Sequence, residues 1–234
     1  MSAREAILGK IRKGLAEGPP EADRRRAAAH HIAQPSRHPI PERVAGRDPD
    51  ALKALFKQHL EGQDATVLEI ETMDDVPDVV SSYLRDHNLP QRVRVGADPR
   101  LGNAPWQTVP ALEVQSGRAD PTDEVGVSHA AAGVAETGTL VMTSGADNPV
   151  TLNFVPETHI VVVSARDLVG PYEDAFAAVR DTFGAGQMPR TVNMISGPSR
   201  TGDIGGRIVM GAHGPRRMCV VIVNDTAPAE RLPA

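Results

Sequence analysis

The chain has 234 residues, a single cysteine and a formal net charge of −5, from 25 Lys and Arg against 30 Asp and Glu. No clustered basic surface announces nucleic acid as a partner, and no apolar run of about eighteen residues announces a membrane span. Cys219 alone closes no internal disulfide and holds no iron–sulfur cluster, so the sequence reads as a cytoplasmic protein with no intrinsic cofactor.

The polar start at Ser2, Arg4 and Glu5 is unlike a signal peptide and fits a capping box instead. Ile7, Leu8, Ile11 and Leu15 then follow at helical spacing, which predicts an amphipathic helix over residues 3–16. Gly18-Pro19-Pro20 stops it. From there to Pro49, prolines and the arginine run at 24–26 leave no apolar periodicity, and the stretch reads as a linker or extended arm. Residues 1–49 are thus expected to be a helix and an arm, separable from a domain over 50–228. Such a helix needs a surface to pack on, either its own domain or a second copy of the chain, so the arm is a candidate route to a homo-oligomer.

In the domain, Leu52, Leu55, Phe56 and Leu60 mark a helix, and residues 65–71 (ATVLEIE) alternate like a strand. Asp74 or Asp75 is expected to cap a helix carrying Val76, Val79, Val80, Tyr83 and Leu84, with Pro77 tolerated in its first turn. RVRV (92–95) is a short strand; 97–124 is loop-rich with a strand expected around 111–114. VGVS (125–128), TLVMTS (139–144), HIVVVS (159–164), TVNMIS (191–196) and MCVVIVN (218–224) read as strands, and Tyr172 to Phe183 as a helix. Strands alternating with helices predict an α/β fold with a mixed, mostly parallel sheet flanked by helices.

Two stretches carry the chemistry. ISGPSRTGDI (195–204) combines glycine, hydroxyl residues and one arginine at the end of a strand. Gly197 lets the chain turn, Ser199 or Thr201 could cap a following helix, and Arg200 supplies a bidentate donor for an anion; Asp203 competes with that anion. The same residues also suit a capped turn with a solvated arginine. In VAETGTLVMTSG (134–145), Glu136 stands among small apolar neighbours and Thr137-Gly138-Thr139 leaves backbone open to a ligand. Glu136 is either a nucleophile or acid–base group raised in pKa by burial, or a strand-start carboxylate bonded to loop amides. His213 in MGAHGP and His159 at a strand start suit acid, base or ligand roles, or simple bonding to a carbonyl. His30, His31 and His38 lie in the arm without preorganised partners for a metal. No dinucleotide fingerprint, P-loop, nucleophile elbow or C-x-x-C occurs, and Cys219 lies inside an apolar strand.

Taken in order, GVAETGTLVMTS, PETHIVVV, ISGPSRTGDI and MGAHGP before a closing strand resemble the LUD-domain family of lactate-utilization proteins. The resemblance runs over about residues 50 to 225. It implies a fold akin to the ribose-phosphate isomerase, CoA-transferase and formyltetrahydrofolate cyclo-ligase group. It also implies a role in oxidising L-lactate to pyruvate with two iron–sulfur partner proteins, without assigning this subunit a reaction of its own. On that analogy Glu136 is the candidate nucleophile, with Thr137, Gly138, Thr139, Gly197, Ser199, Arg200, Thr201, Asp203 and His213 around a small anionic ligand. A self-sufficient transferase or cyclo-ligase and a non-catalytic assembly protein remain as alternatives. The sequence departs from the family in two places. Residues 144–156 hold no arginine where members often have one, and Gly205-Gly206 replaces a bulky residue and an acid.

Overall fold

The structure, a computed structural model, describes residues 2–35, 38–184 and 186–225. Residues 226–228, the expected end of the domain, lie outside the described residues.

The first helix, α1 (Ala3–Ala16), starts on the expected capping box: Ser2 Oγ accepts from the Glu5 amide, and Glu5 Oε2 accepts from the Ser2 amide at 2.7 Å. The arm is not all extended. It forms a second helix, α2 (Glu21–Ala33), none of whose described residues is buried. Its signal is not an apolar stripe but alanine content and surface pairs, Arg25 with Glu21 at 2.6 Å and Arg26 with Asp23 at 2.9 Å. Apolar periodicity cannot detect a helix that carries no apolar stripe.

The domain then runs α3 (Pro49–Glu61), β1 (Thr66–Ile70), α4 (Val76–Asp86), β2 (Arg92–Val95), α5 (Pro99–Gly102), β3 (Glu113–Ser116), β4 (Val125–His129), β5 (Ala132–Val134) and β6 (Thr139–Thr143). It continues with α6 (Thr151–Phe154), β7 (Thr158–Ser164), β8 (Leu168–Val169), α7 (Tyr172–Phe183), β9 (Val192–Ile195), β10 (Arg200–Ile204), β11 (Arg207–Met210) and β12 (Arg217–Val223). Asp75 is the N-cap of α4 as expected, but its side chain makes no cap bond there and accepts instead from the Thr72 amide at 3.0 Å. The strand expected at 111–114 begins two residues later, at Glu113, because Leu112 is buried from a turn.

The fold is α/β, with a central sheet of six strands in the order β1-β12-β7-β4-β2-β3, every pair parallel. Its central strands are buried on both faces, as the unbroken apolar run of β7 requires. Alternation along β7 divides the core. Ile160 and Val162 face a cluster with Val80 and Leu84 of α4 and Leu101 of α5. Val161 and Val163 face another with Phe56 and Leu60 of α3 and Leu140 and Met142 of β6.

The sequence predicts a single sheet; among the described residues there are two, plus a hairpin. The second sheet has the order β8-β5-β6-β9, is mixed in direction and packs on the Val161 side. The other side of that sheet is covered by α7, with Ala175 and Val179 against Ala132, Val134 and Val141. Among the described residues, strands β10 and β11 pair only with each other. Their turn is Gly205-Gly206, both at positive φ (63° and 69°) between the paired Ile204 and Arg207. A two-residue hairpin of that kind needs φ above zero at both positions, which explains why a bulky residue and an acid are absent there.

Candidate functional site

One of the two readings of ISGPSRTGDI, a helix start or a capped turn, places a helix after it. Instead β9 ends, the chain turns at Gly197, and Arg200 begins β10 of the hairpin, so neither Ser199 nor Thr201 caps a helix. Gly197 sits at φ 119°, and a Cβ there would lie 2.8 Å from Gln63 Cβ and 3.1 Å from its carbonyl oxygen. The glycine is therefore required by a close approach to the loop after α3. Arg200 donates through Nη2 to the carbonyl of Gln63 and to Asp64 Oδ2, the latter at 2.9 Å. Asp64 is 76% exposed on its side chain, so this ion pair is an open clasp rather than a buried lock.

Gly197, Ser199, Arg200 and His213 line one cavity of about 250 Å³, together with Asn153, Met218 and other apolar residues. The sequence reading thus brings four of its ten site residues to one hole. Asn153, from α6, is 2% exposed and its Oδ1 has no hydrogen-bond partner among the described residues. Residue-type reasoning passed it over, because an asparagine in an apolar stretch carries no spacing signal. The cavity sits by Met218, near the amino end of β12, not at the carboxyl edge where open α/β sheets usually take ligands.

The 136–139 loop does not line that cavity. Glu136 Oε1 instead accepts from Arg43 Nη2 at 2.7 Å, with the glutamate side chain 14% exposed. Thr137 and Thr139 join Tyr172 in a triangle of hydroxyls at 2.7, 2.9 and 2.8 Å. Thr139 Oγ1 also meets Ser196 Oγ at 2.6 Å, which links the two chemistry-bearing loops through hydroxyls. They are neighbours on the second sheet, where Leu140 pairs with Ile195, rather than opposite walls of a cleft in one sheet. Gly138 packs on α3, where a Cβ would meet His59 Cβ at 2.6 Å. Thr201 accepts from the Asp203 amide at 3.3 Å, and Asp203 is exposed on the hairpin.

A charged cluster that sequence reasoning missed lies at the carboxyl edge of the central sheet. From β2 the chain moves outward to β3, and from β4 it moves the other way to β7, so β2 and β4 flank a topological switch point. Asp98 follows β2 and His129 ends β4. Arg100 grips Asp98 with Nε at 3.0 Å and Nη2 at 2.8 Å, and lies 3.8 Å from Asp167. Burial opposes ionisation of Asp98, but these bonds outweigh it and hold its pKa below the ordinary value. His129 is 2% exposed, and neither ring nitrogen meets the geometry of a hydrogen bond, although the Ala130 backbone lies alongside. Burial, helped by the nearby Arg100, pushes its pKa down to about 3, so it stays neutral. The only sequence signal was a histidine closing the apolar VGVSH strand. His159, by contrast, is a core residue: its Nε2 meets Ser128 Oγ at 2.6 Å, and burial takes it to about 3.

Comparison with known proteins agrees with this architecture. Residues 117–223 match the LUD domain. Lactate utilization protein C of Shouchella clausii is 31% identical over 102 residues, which is 44% of this chain and 44% of the relative. Its counterpart in Geobacillus kaustophilus is 32% identical over 117 residues, 50% of this chain and 49% of the relative. The alignments therefore span about half the length of these relatives or less. A crystal structure of a DUF162 family protein from Deinococcus radiodurans shares the fold, with a TM-score of 0.57 at 21% identity over 76% of this chain and 99% of that one. Over residues 117–223, a little under half of its length, this chain is thus similar to the LUD domain.

Proposed function

We propose that this chain serves lactate utilization as a cytoplasmic accessory subunit that binds a small hydroxy acid anion while iron–sulfur partner proteins carry the electrons. The observation that supports the reading is the convergence of Ser199, Arg200, His213 and Asn153, whose buried Oδ1 has no partner among the described residues, on one cavity. A guanidinium suits a carboxylate, and an unpartnered carbonyl oxygen suits a hydroxyl that can donate to it. That pair of groups matches a 2-hydroxy acid better than the 2-oxo acid formed from it. The relatives named lactate utilization protein C point the same way.

On this reading the chain holds no iron or flavin of its own. Its one thiol, Cys219, is enclosed in β12 with its pKa pushed up to about 12 by burial, which is the opposite of a ready thiolate ligand. The competing idea of Glu136 as a nucleophile requires its carboxylate to leave Arg43 first. The idea of a purely assembling protein leaves the unpartnered, buried Asn153 acceptor without a role. The test is genetic: a strain lacking this gene should fail to grow on L-lactate as sole carbon source and should recover with the intact gene. Recovery with the Arg200→Ala gene to the same growth rate would remove the cavity from the account.

A further inference from the structure

A second cleft, of about 560 Å³, shares no lining residue with the cavity above. It is bordered by Arg118, two residues past β3; by Ser144, after β6; by Thr151; and by Arg190, ahead of β9. Among the described residues, no hydrogen bond or ion pair engages the guanidinium of Arg118 or of Arg190. In a chain of net charge −5, two unneutralised arginines meeting at one cleft are against the average.

The hydroxyls beside them are set as donors. Ser144 Oγ already accepts the Thr191 amide at 2.9 Å, and Thr151 Oγ1 accepts the Ala119 amide at 3.0 Å. Each is thereby held in place by a backbone N–H, with its own O–H uncommitted among the described residues. Among the described residues, no carboxylate lines the cleft. Its polar side chains can thus all donate: two planar forks and three hydroxyls, those of Ser144, Thr151 and Thr191. That set fits phosphate oxygens, which take arginine in bidentate fashion. The volume is of the size that holds a nucleotide-sized ligand.

We propose that this cleft binds a ligand bearing a diphosphate group, gripped by Arg118 and Arg190 with Ser144 and Thr151 completing the donor set. The source of the diphosphate, inorganic or esterified, is separated by two probes, inorganic pyrophosphate and ADP, titrated into the full chain by calorimetry. Both should bind and compete, more weakly as salt is added. Each of Arg118→Gln and Arg190→Gln should weaken binding about tenfold or more, with the thermal melt unchanged because both side chains are exposed. Arg200→Ala should leave these affinities as they are. Tighter binding of ADP assigns the rest of the nucleotide to the cleft; equal affinity assigns the diphosphate alone, and either result supports the site. Absence of binding at millimolar probe, or equal affinity in the doubly substituted chain, would overturn it, as would loss of binding in Arg200→Ala.

Discussion

Arg43 bonds Glu136 across 93 positions of sequence, Nη2 to Oε1 at 2.7 Å. Beside it Val44 is 4% exposed, packed into the core cluster of Phe56 and Leu60. The end of the arm is therefore part of the domain's packing, and we expect only the residues before 38 to be separable. A chain beginning at His38 should melt like the intact one, and a chain beginning at Asp50 should melt lower. Val44→Ala alone should cost about 1–2 kcal/mol, from two buried methyl groups at ~0.8 kcal/mol each. Arg43→Ala, at a pair whose arginine is 54% exposed, should cost less than about 1 kcal/mol. Urea titrations measure all four, and a chain starting at Asp50 with the stability of the full chain would refute the assignment.

Thr139 is the hub of the hydroxyl network. It is 1% exposed and meets Thr137, Tyr172 and Ser196. Thr139→Val keeps the shape and removes the oxygen, leaving buried partners short of a bond. The expected loss is about 1–3 kcal/mol of stability. A valine variant that unfolds at the wild-type urea concentration would mean the network contributes nothing.

The parallel core was legible because its strands are apolar on both faces and its helices carry stripes: Tyr172 to Phe183 was bounded as observed. Helix α2 was not, since pairing of Arg25 with Glu21 leaves no hydrophobic period to read. The division into two sheets was equally hidden. TLVMTS and HIVVVS look alike in sequence, yet β6 pairs antiparallel with β9 while β7 pairs parallel with β12. Pairing partners are set by contacts distant in sequence, which a local pattern does not contain. For the same reason Gly197, Ser199, Arg200 and His213 could be named as site residues, whereas Asn153 could not: its role depends on α6 being laid beside them.

Gly197 can be tested on its own. Alanine there would have to adopt φ 119° and place its Cβ 2.8 Å from that of Gln63. Gly197→Ala should destabilise by about 1–3 kcal/mol, since both the dihedral strain and the contact must be relieved by moving the 63–64 loop. Arg200 would lose its anchor on Asp64 with that movement. Thermal melts of the variant decide the matter, and an unchanged midpoint would show that the turn is not constrained by Gln63.

The buried histidines set a pH dependence. His129 and His159 are both pushed down to about 3 by burial, while an unfolded histidine titrates near ~6.5. As pH falls the unfolded chain binds these protons first, so stability is complete above about pH 7 and declines from about pH 6.5 toward 3. Each contributes a slope of up to ~1.4 kcal/mol per pH unit. Asp98, with its lowered pKa, adds a loss of the same sign at lower pH, and Asp167, raised by burial, acts against it. Urea midpoints from about pH 8 to about pH 5 should be flat at first and then fall, less steeply in His159→Asn. Parallel profiles for the two proteins would mean that His159 is not held neutral in the fold.

Calorimetric titration of L-lactate into the full chain, beside Arg200→Ala, tests the cavity assignment most directly. Saturable binding to the wild type is expected, with affinity about tenfold or more weaker in the variant, as a charge-assisted contact is worth roughly 1.5–3 kcal/mol. The ligand-free melts should match, because Arg200 pairs with an exposed Asp64 and adds little packing. No heat of binding in the wild type, or the same affinity in both proteins, would contradict the account.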